Sequence, residues 1–190
     1  LGSTDYAAFV LLPPLMARLA REAPGVNVVV RSGEELTPAL DEGHVDLLLS
    51  PLTSLEARET HRHKELFVER FVCVVREGHP LARRKLTLRR WVELPHALVA
   101  PRGRAGSIVD TVLASHGLRR RTSLAMPHFL VAPHVIASTD LIVTLAERVA
   151  KRFAEWLPLR IKAPPVEIPT FTIASVWHRR SEGDPAMAWL

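Results

Sequence analysis

Apolar residues recur along the chain in two alternating rhythms. Ala8, Leu12, Leu15 and Leu19 fall on one face at helical spacing, directly after Ser3-Thr4-Asp5, residue types that start helices. Pro13 and Pro14 interrupt the stripe, so the prediction is a helix that kinks there or whose longer second part opens there. Pro24-Gly25 ends it. The β-branched run Val26 to Val30 predicts a strand. Glu34 to Glu42 predicts a helix with Leu36 and Leu40 on one face and Gly43 as its stop, and Val45 to Leu49 a short buried strand. Leu1-Gly2-Ser3 reads as the end of a strand. Strands separated by helical crossovers return in the same direction, which implies parallel pairing.

A second cycle follows. Lys64 to Arg76 is extended with a break near Glu69-Arg70, and Gly78-His79-Pro80 stops it. Helices are predicted over 88–94, 107–116, 129–137 and 147–153, with strands over 96–100, 122–126 and 141–144. Ala163-Pro164-Pro165 reads as a connector, Phe171 to Trp177 as a last strand, and Asp184 to Leu190 as a last short helix. Two α/β cycles predict two lobes, with the chain crossing near 69–75 and again near 163–169. The expected domains are 1–72 with 166–190, and 73–165.

Composition narrows the function classes. With 47% hydrophobic residues the chain folds around a core, and no apolar run is long enough to span a bilayer. No secretory leader precedes Ser3, so a cytoplasmic location without membrane contact is expected. The single cysteine, Cys73, lies in the apolar run Phe71 to Val75 and is expected to be a buried strand residue. The formal net charge is +5, with basic clusters at 83–85, 89–90, 119–121, 151–152 and 179–180. They are scattered rather than gathered on one reader element, so they read as solvated surface, and the chain alone is not expected to bind DNA specifically.

Several strand ends carry groups suited to a ligand. Ser3, Thr4 and Asp5 stand where a strand gives way to a helix, and Ser32-Gly33 repeats that arrangement. Free backbone N–H groups at such ends favour anions; simple helix capping fits the same residues equally well. Pro101, Arg102 and Arg104 follow a strand of the second cycle, where arginine can grip a carboxylate or remain in solvent. Pro127, His128 and Phe129 follow the next strand and offer a ring and an imidazole to a flat ligand, or a packed Phe beside a surface His. His61-x-His63 shares one strand face but has no third partner at metal-ligand spacing, so a surface or structural role is expected. No catalytic motif is present. No catalytic residue, metal or cofactor is expected.

Several phrases, in order, resemble the effector-binding domain of LysR-type transcription regulators. They are Gly2-Ser3-Thr4-Asp5-Tyr6, Leu12-Pro13, Ala23-Pro24-Gly25-Val26, Leu40-Asp41-Glu42-Gly43-His44-Val45-Asp46-Leu47, and Gly78-His79-Pro80-Leu81. Ser138-Thr139-Asp140-Leu141-Ile142, Ala146-Glu147-Arg148-Val149-Ala150 and Trp177-His178-Arg179-Arg180 are similar to the branch containing regulators of nodulation and aromatic-acid catabolism. The resemblance implies two Rossmann-like subdomains of the type 2 periplasmic-binding-protein kind, joined by two crossover strands. It implies a small effector, often an aromatic acid, phenol or flavonoid, held between two lobes by residues such as Ser3, Thr4, Ser32, Pro101, Arg102, Pro127, His128 and Phe129. It also implies a homodimer or homotetramer that touches DNA only through an N-terminal winged helix-turn-helix lying outside this chain. Asp5 departs from the pattern, since it would repel a carboxylate if it faced inward. A free solute-binding protein for transport and a small α/β enzyme remain alternatives.

Overall fold

The computed structural model describes residues 1–33, 35–55, 58–100 and 107–189. The chain divides into two units: Leu1–Val68 with Phe171–Leu190, and Glu69–Thr170. Residues 69–72 and 166–170 therefore fall in the second unit, a few residues from the boundaries expected from sequence. The reason is packing: Val72 pairs with Leu145, and Ile168 joins the core cluster of the second unit.

The first unit carries a four-stranded sheet in the order β1-β2-β9-β3: β1 (Gly2–Ser3), β2 (Leu47–Pro51), β9 (Phe171–His178) and β3 (His61–Glu69). Strand β1 runs parallel to β2, and β9 runs antiparallel to β2. Thr4 caps α1 (Asp5–Glu22), its hydroxyl accepting from the Ala7 N–H at 3.2 Å, with acidic Asp5 in the first turn and basic Arg21 in the last. The helix is continuous through Pro13 and Pro14. Both prolines are exposed, where water can serve the carbonyls that lose their helical partners. Helix α2 (Leu36–Asp41) stops at Gly43, whose φ of 81° suits glycine. Its core is Leu40, Val45, Leu48, Ala174 and Val176.

Gly2 sets how closely β1 lies on that core. A Cβ there would stand 2.5 Å from Leu48 Cδ2 and 3.0 Å from Leu36 Cδ2, so any larger residue would force these core leucines to shift. The segment 26–30 is not a full strand. It is held beside β1 by one parallel bridge, Gly2 to Arg31, and by the bonds Arg31 N–H to Leu1 O (2.8 Å) and Ser3 N–H to Arg31 O (2.9 Å). Its β-branched residues favour extension, but a ladder is limited by the length of its partner, and β1 has two residues.

The second unit carries a five-stranded sheet in the order β6-β5-β7-β4-β8: β6 (Arg121–Met126), β5 (Pro95–Val99), β7 (Ile142–Ala146), β4 (Phe71–Arg76) and β8 (Leu159–Lys162). Strand β5 is parallel to β6 and β7, whereas β4 is antiparallel to β7 and β8. The short β8 has no counterpart in the sequence reading, because four residues give too brief an alternation to register. Helices α3 (Leu88–Glu93), α4 (Ile108–Ser115), α5 (Ala132–Ala137) and α6 (Glu147–Ala154) flank the strands in the chain. The helix expected from Phe129 begins only at Ala132, after a turn over 129–131. Cys73, Val75, Trp91, Val109, Leu113 and Ile142 form the core. Helix α7 (Pro185–Trp189), of the first unit, closes the described chain; Trp189 bonds Glu22 of α1 through its indole N–H (3.1 Å) beneath Arg18.

Candidate functional site

In the first unit, three neighbouring chain segments reach the same sheet edge in the same direction. Gly2 and Ser3 lie beside Leu48 and Leu49, and Gly2 lies beside Arg31. The residues just beyond are Thr4, Ser50 and Ser32, so parallel pairing gathers hydroxyls from distant parts of the sequence. Ser32 is exposed. Thr4 is half-buried and already accepts the helix-capping bond from Ala7. Ser3, by contrast, is only 1% exposed, and its hydroxyl bonds the carbonyls of Thr4 (3.0 Å) and Leu49 (3.3 Å). That hydroxyl ties β1 to β2. Asp5 folds back to accept its neighbour Tyr6 N–H at 2.9 Å.

Ser50 was not singled out from sequence. It ends the apolar run Leu47-Leu48-Leu49 and is buried, with its hydroxyl 3.5 Å from the Pro51 carbonyl. A lone polar residue closing a buried strand is the signal that marks it.

In the second unit, β5 and β6 end side by side. Val99 faces Met126, and the Ala100 N–H donates to the Met126 carbonyl at 2.8 Å. Pro127, His128 and Phe129 leave the sheet at this edge; the first two are exposed and Phe129 is half-buried. Pro101, Arg102 and Arg104 lie outside the described residues.

The starts of β5 and β6 carry a buried ionic network around Arg120, which the sequence reading placed in a solvated cluster. Arg120, with a side chain only 2% exposed, donates to Asp110 through Nε (2.7 Å) and Nη2 (3.2 Å) and to Ser107 Oγ (2.9 Å). Arg119 and Arg121 on either side are exposed, so the triplet is not one solvated cluster. Ser107 caps α4, and Asp110 accepts from the Ser107 N–H at 2.8 Å, closing a capping box. Burial acts to raise the Asp110 carboxyl pKa, but Arg120 and the Ser107 bonds outweigh it and hold it below the ordinary value. His96 completes the network: Nδ1 accepts from Arg120 (3.3 Å), and Nε2–H donates to the Trp91 carbonyl (2.7 Å). Burial pushes its pKa down to about 4, so the ring is neutral at pH 7.

Two other sequence expectations have plain outcomes. Cys73 is fully buried, and burial pushes its thiol pKa up to about 12. His61 Nε2 lies 2.7 Å from Asp41 Oδ1, and that carboxylate also pairs with Arg58, while His63 is exposed. Among the described residues no helix is long and apolar enough to cross a membrane.

In open α/β folds, small ligands commonly bind outside the carboxyl ends of parallel strands, where this chain carries hydroxyl and aromatic groups. The LysR substrate-binding domain model matches residues 1–190, and the chain belongs to that family. It is 35% identical to nodulation protein D 3 of Rhizobium leguminosarum bv. phaseoli, across 98% of this chain and 62% of that protein. It is 33% identical to the HTH-type transcriptional activator NagR of a Ralstonia species, across 100% of this chain and 63% of that protein. Among solved structures, the regulatory domain of MexT, a transcriptional activator in Pseudomonas aeruginosa, matches with a TM-score of 0.85 at 32% identity, covering 99% of this chain and 91% of that one. The fold is thus the type 2 periplasmic-binding-protein-like fold of LysR effector-binding domains. The chain spans about three fifths of the length of these two relatives. Family membership decides among the alternatives left by the sequence: this is the effector-binding domain of a LysR-type regulator, not an enzyme.

Proposed function

We propose that this domain binds a small aromatic acid or phenol, and that binding controls transcription in the cytoplasm by changing how copies of the protein are arranged. The observation that carries this reading is the gathering of Thr4, Ser32 and Ser50 at one edge of parallel segments. The first unit offers Thr4 and Ser32 to the effector, within a strand-end framework held by Ser3. The second offers Pro127, His128 and Phe129, together with Pro101 and Arg102. The ligand this set suits has a polar, anionic end and a flat apolar body, since hydroxyls and arginine take the former and Phe129 the latter. Occupancy shifts the assembly only if the ligand prefers one arrangement over another.

The test is calorimetry with a panel of benzoates and phenols on the wild type and on Arg102→Ala, His128→Ala and Phe129→Ala. A bound panel member should lose about 1–3 kcal/mol of affinity with each polar partner removed. Normal binding in all three variants would place the effector elsewhere.

The same reading includes self-association. A dimer formed by the 26–30 segment and α2 of one copy against α4 of another fits the exposed surfaces. Val26, Val29 and Val30 are exposed, and α4 turns Ile108, Thr111, Ala114 and Ser115 outward with no charge among them. Sequence-specific DNA contact by the whole protein would come through a helix-turn-helix domain outside this chain.

A further inference from the structure

Some arginines of the described residues have carboxylate partners, as in Arg18–Glu22, Arg62–Glu182, Arg76–Asp140 and Arg152–Glu155, while others, such as Arg119, Arg121 and Arg179, stand exposed and apart. The stretch from the turn after β4 into α3 stands out by the density of its cations. Arg83, Arg84, Lys85 and Arg90 are exposed and have no carboxylate partner among the described residues. Arg89 pairs only with Glu93, one helical turn away. Residues 81–93 hold five cations and one carboxylate, a local excess of four in a chain whose formal net charge is +5. The carboxylate nearest before it, Glu77, is already engaged by Arg160.

These cations sit on a fixed base. Leu86 and Trp91 are buried in the core of the second unit, and Leu81, Ala82 and Leu88 pack against the same cluster. His79 Nδ1 accepts the Leu81 N–H at 3.0 Å, the Arg84 N–H donates to the Leu81 carbonyl at 3.2 Å, and Lys162 Nζ reaches from β8 to the Ala82 carbonyl at 3.1 Å. Like charges held together at this density repel one another, and a polyanion relieves that repulsion while releasing its own counterions.

We propose that the 83–90 surface binds the phosphate backbone of duplex nucleic acid without reading its sequence. This rests on the reading of the chain as part of a transcription regulator, for which DNA is the polyanion at hand. Trp91 is buried and no aromatic ring is exposed in the segment, so base stacking of single strands is not provided for. No large apolar residue is exposed there to enter a lipid surface, which separates the patch from a membrane-binding helix. Its role is to hold the regulatory domain near DNA that another part of the protein selects.

Fluorescence anisotropy of the 190-residue chain with a random-sequence 20-base-pair duplex, over a salt series, tests the proposal. The triple variant Arg83→Ser/Arg84→Ser/Lys85→Ser should flatten the log K against log salt slope by about 2–3 and weaken binding at low salt by about tenfold for each phosphate-binding cation removed. A control triple, Arg119→Ser/Arg121→Ser/Arg179→Ser, removes the same charge from exposed sites and should leave the slope close to wild type. Equal losses in both triples would mean that only net charge matters and would overturn the proposal. So would absence of wild-type binding at low salt, or binding to phosphatidylserine vesicles in place of duplex. Unchanged thermal melting of both triples excludes misfolding as the cause. The effector reading fails or stands separately, on calorimetry with benzoates and phenols.

Discussion

Arg70 and Glu147 meet in a two-pronged pair, with Nε 2.6 Å from one carboxylate oxygen and Nη2 2.7 Å from the other. The pair prolongs the antiparallel register of β4 on β7, in which Phe71 faces Ala146, and the Glu147 N–H donates to the Arg70 carbonyl at 2.9 Å. One step further out Glu69, with a side chain only 3% exposed, lies 3.4 Å from Arg148. The dipeptide Glu69-Arg70 thus meets Glu147-Arg148 head to tail, fixing the start of β4 to the start of α6 where the chain enters the second unit.

This pair gives an acid signature. The Arg70 hydrogen bonds, with help from Lys151, hold the Glu147 pKa near 2, against 4.5 for an ordinary glutamate. Its folded-state pKa is depressed, so its contribution to stability is complete above 4.5 and is lost as pH falls toward 2. Chemical denaturation of the wild type across that window should show the loss. Glu147→Gln should be less stable at neutral pH and should lack that part of the acid slope. An identical acid slope in the variant would rule the pair out as its source.

His96 should act at milder acidity. Its pKa of about 4 in the folded chain lies below the ordinary 6.5, because burial penalises the charged ring. The unfolded chain therefore binds a proton that the folded chain refuses, and stability declines as pH falls from 6.5 toward 4. His96→Gln removes the titration and should flatten this stretch of the profile, while costing stability at pH 7 through the lost bond to the Trp91 carbonyl. NMR titration of the wild-type ring gives the direct check: a midpoint near 6.5 would contradict the buried neutral form.

The sequence made much of the alternation of elements legible, and the strand ends that carry hydroxyl groups, because periodicity and turn residues are local signals. It could not make Arg120 legible. Nothing in Arg119-Arg120-Arg121 marks the middle residue for burial; only folding carries Asp110, Ser107 and His96 around it. The shortfall at 26–30 has a similar origin, since a β-branched run announces an extended chain but not how much partner strand it will find. Ser3 shows the same limit at the candidate site. Its position at a strand end was readable, whereas the commitment of its hydroxyl to Leu49 arises from a partner 46 residues away.

Self-association should depend on the uncharged outer face of α4 and the exposed valines of the 26–30 segment. Sedimentation velocity of the wild type over a concentration series should show a species heavier than 21.2 kDa. Ile108→Glu and Val29→Glu alter exposed positions and should each shift the species to monomer without lowering thermal stability, since burying a new unpaired charge disfavours only the assembly. A dimer insensitive to both substitutions would use another surface.

Thr4 carries two roles that a single substitution would confuse. Its hydroxyl caps an 18-residue helix, and its position at the end of β1 makes it a proposed effector contact. Thr4→Val removes both functions, so weakened binding in that variant would be partly a loss of helix stability, about 1 kcal/mol for a missing cap. Thr4→Asn separates the two. An asparagine side chain caps as well as threonine but places its polar atoms differently, so the variant should melt near the wild-type temperature and still bind the aromatic acid more weakly. Thr4→Ser keeps both the hydroxyl and the cap and should retain affinity. The informative comparison is between melting temperature and calorimetric affinity across the three variants. If affinity falls only in Thr4→Val, in step with stability, Thr4 serves α1 alone and the first unit's contact must come from Ser32. If affinity falls in Thr4→Asn while its melting temperature holds, the hydroxyl at this strand end touches the effector.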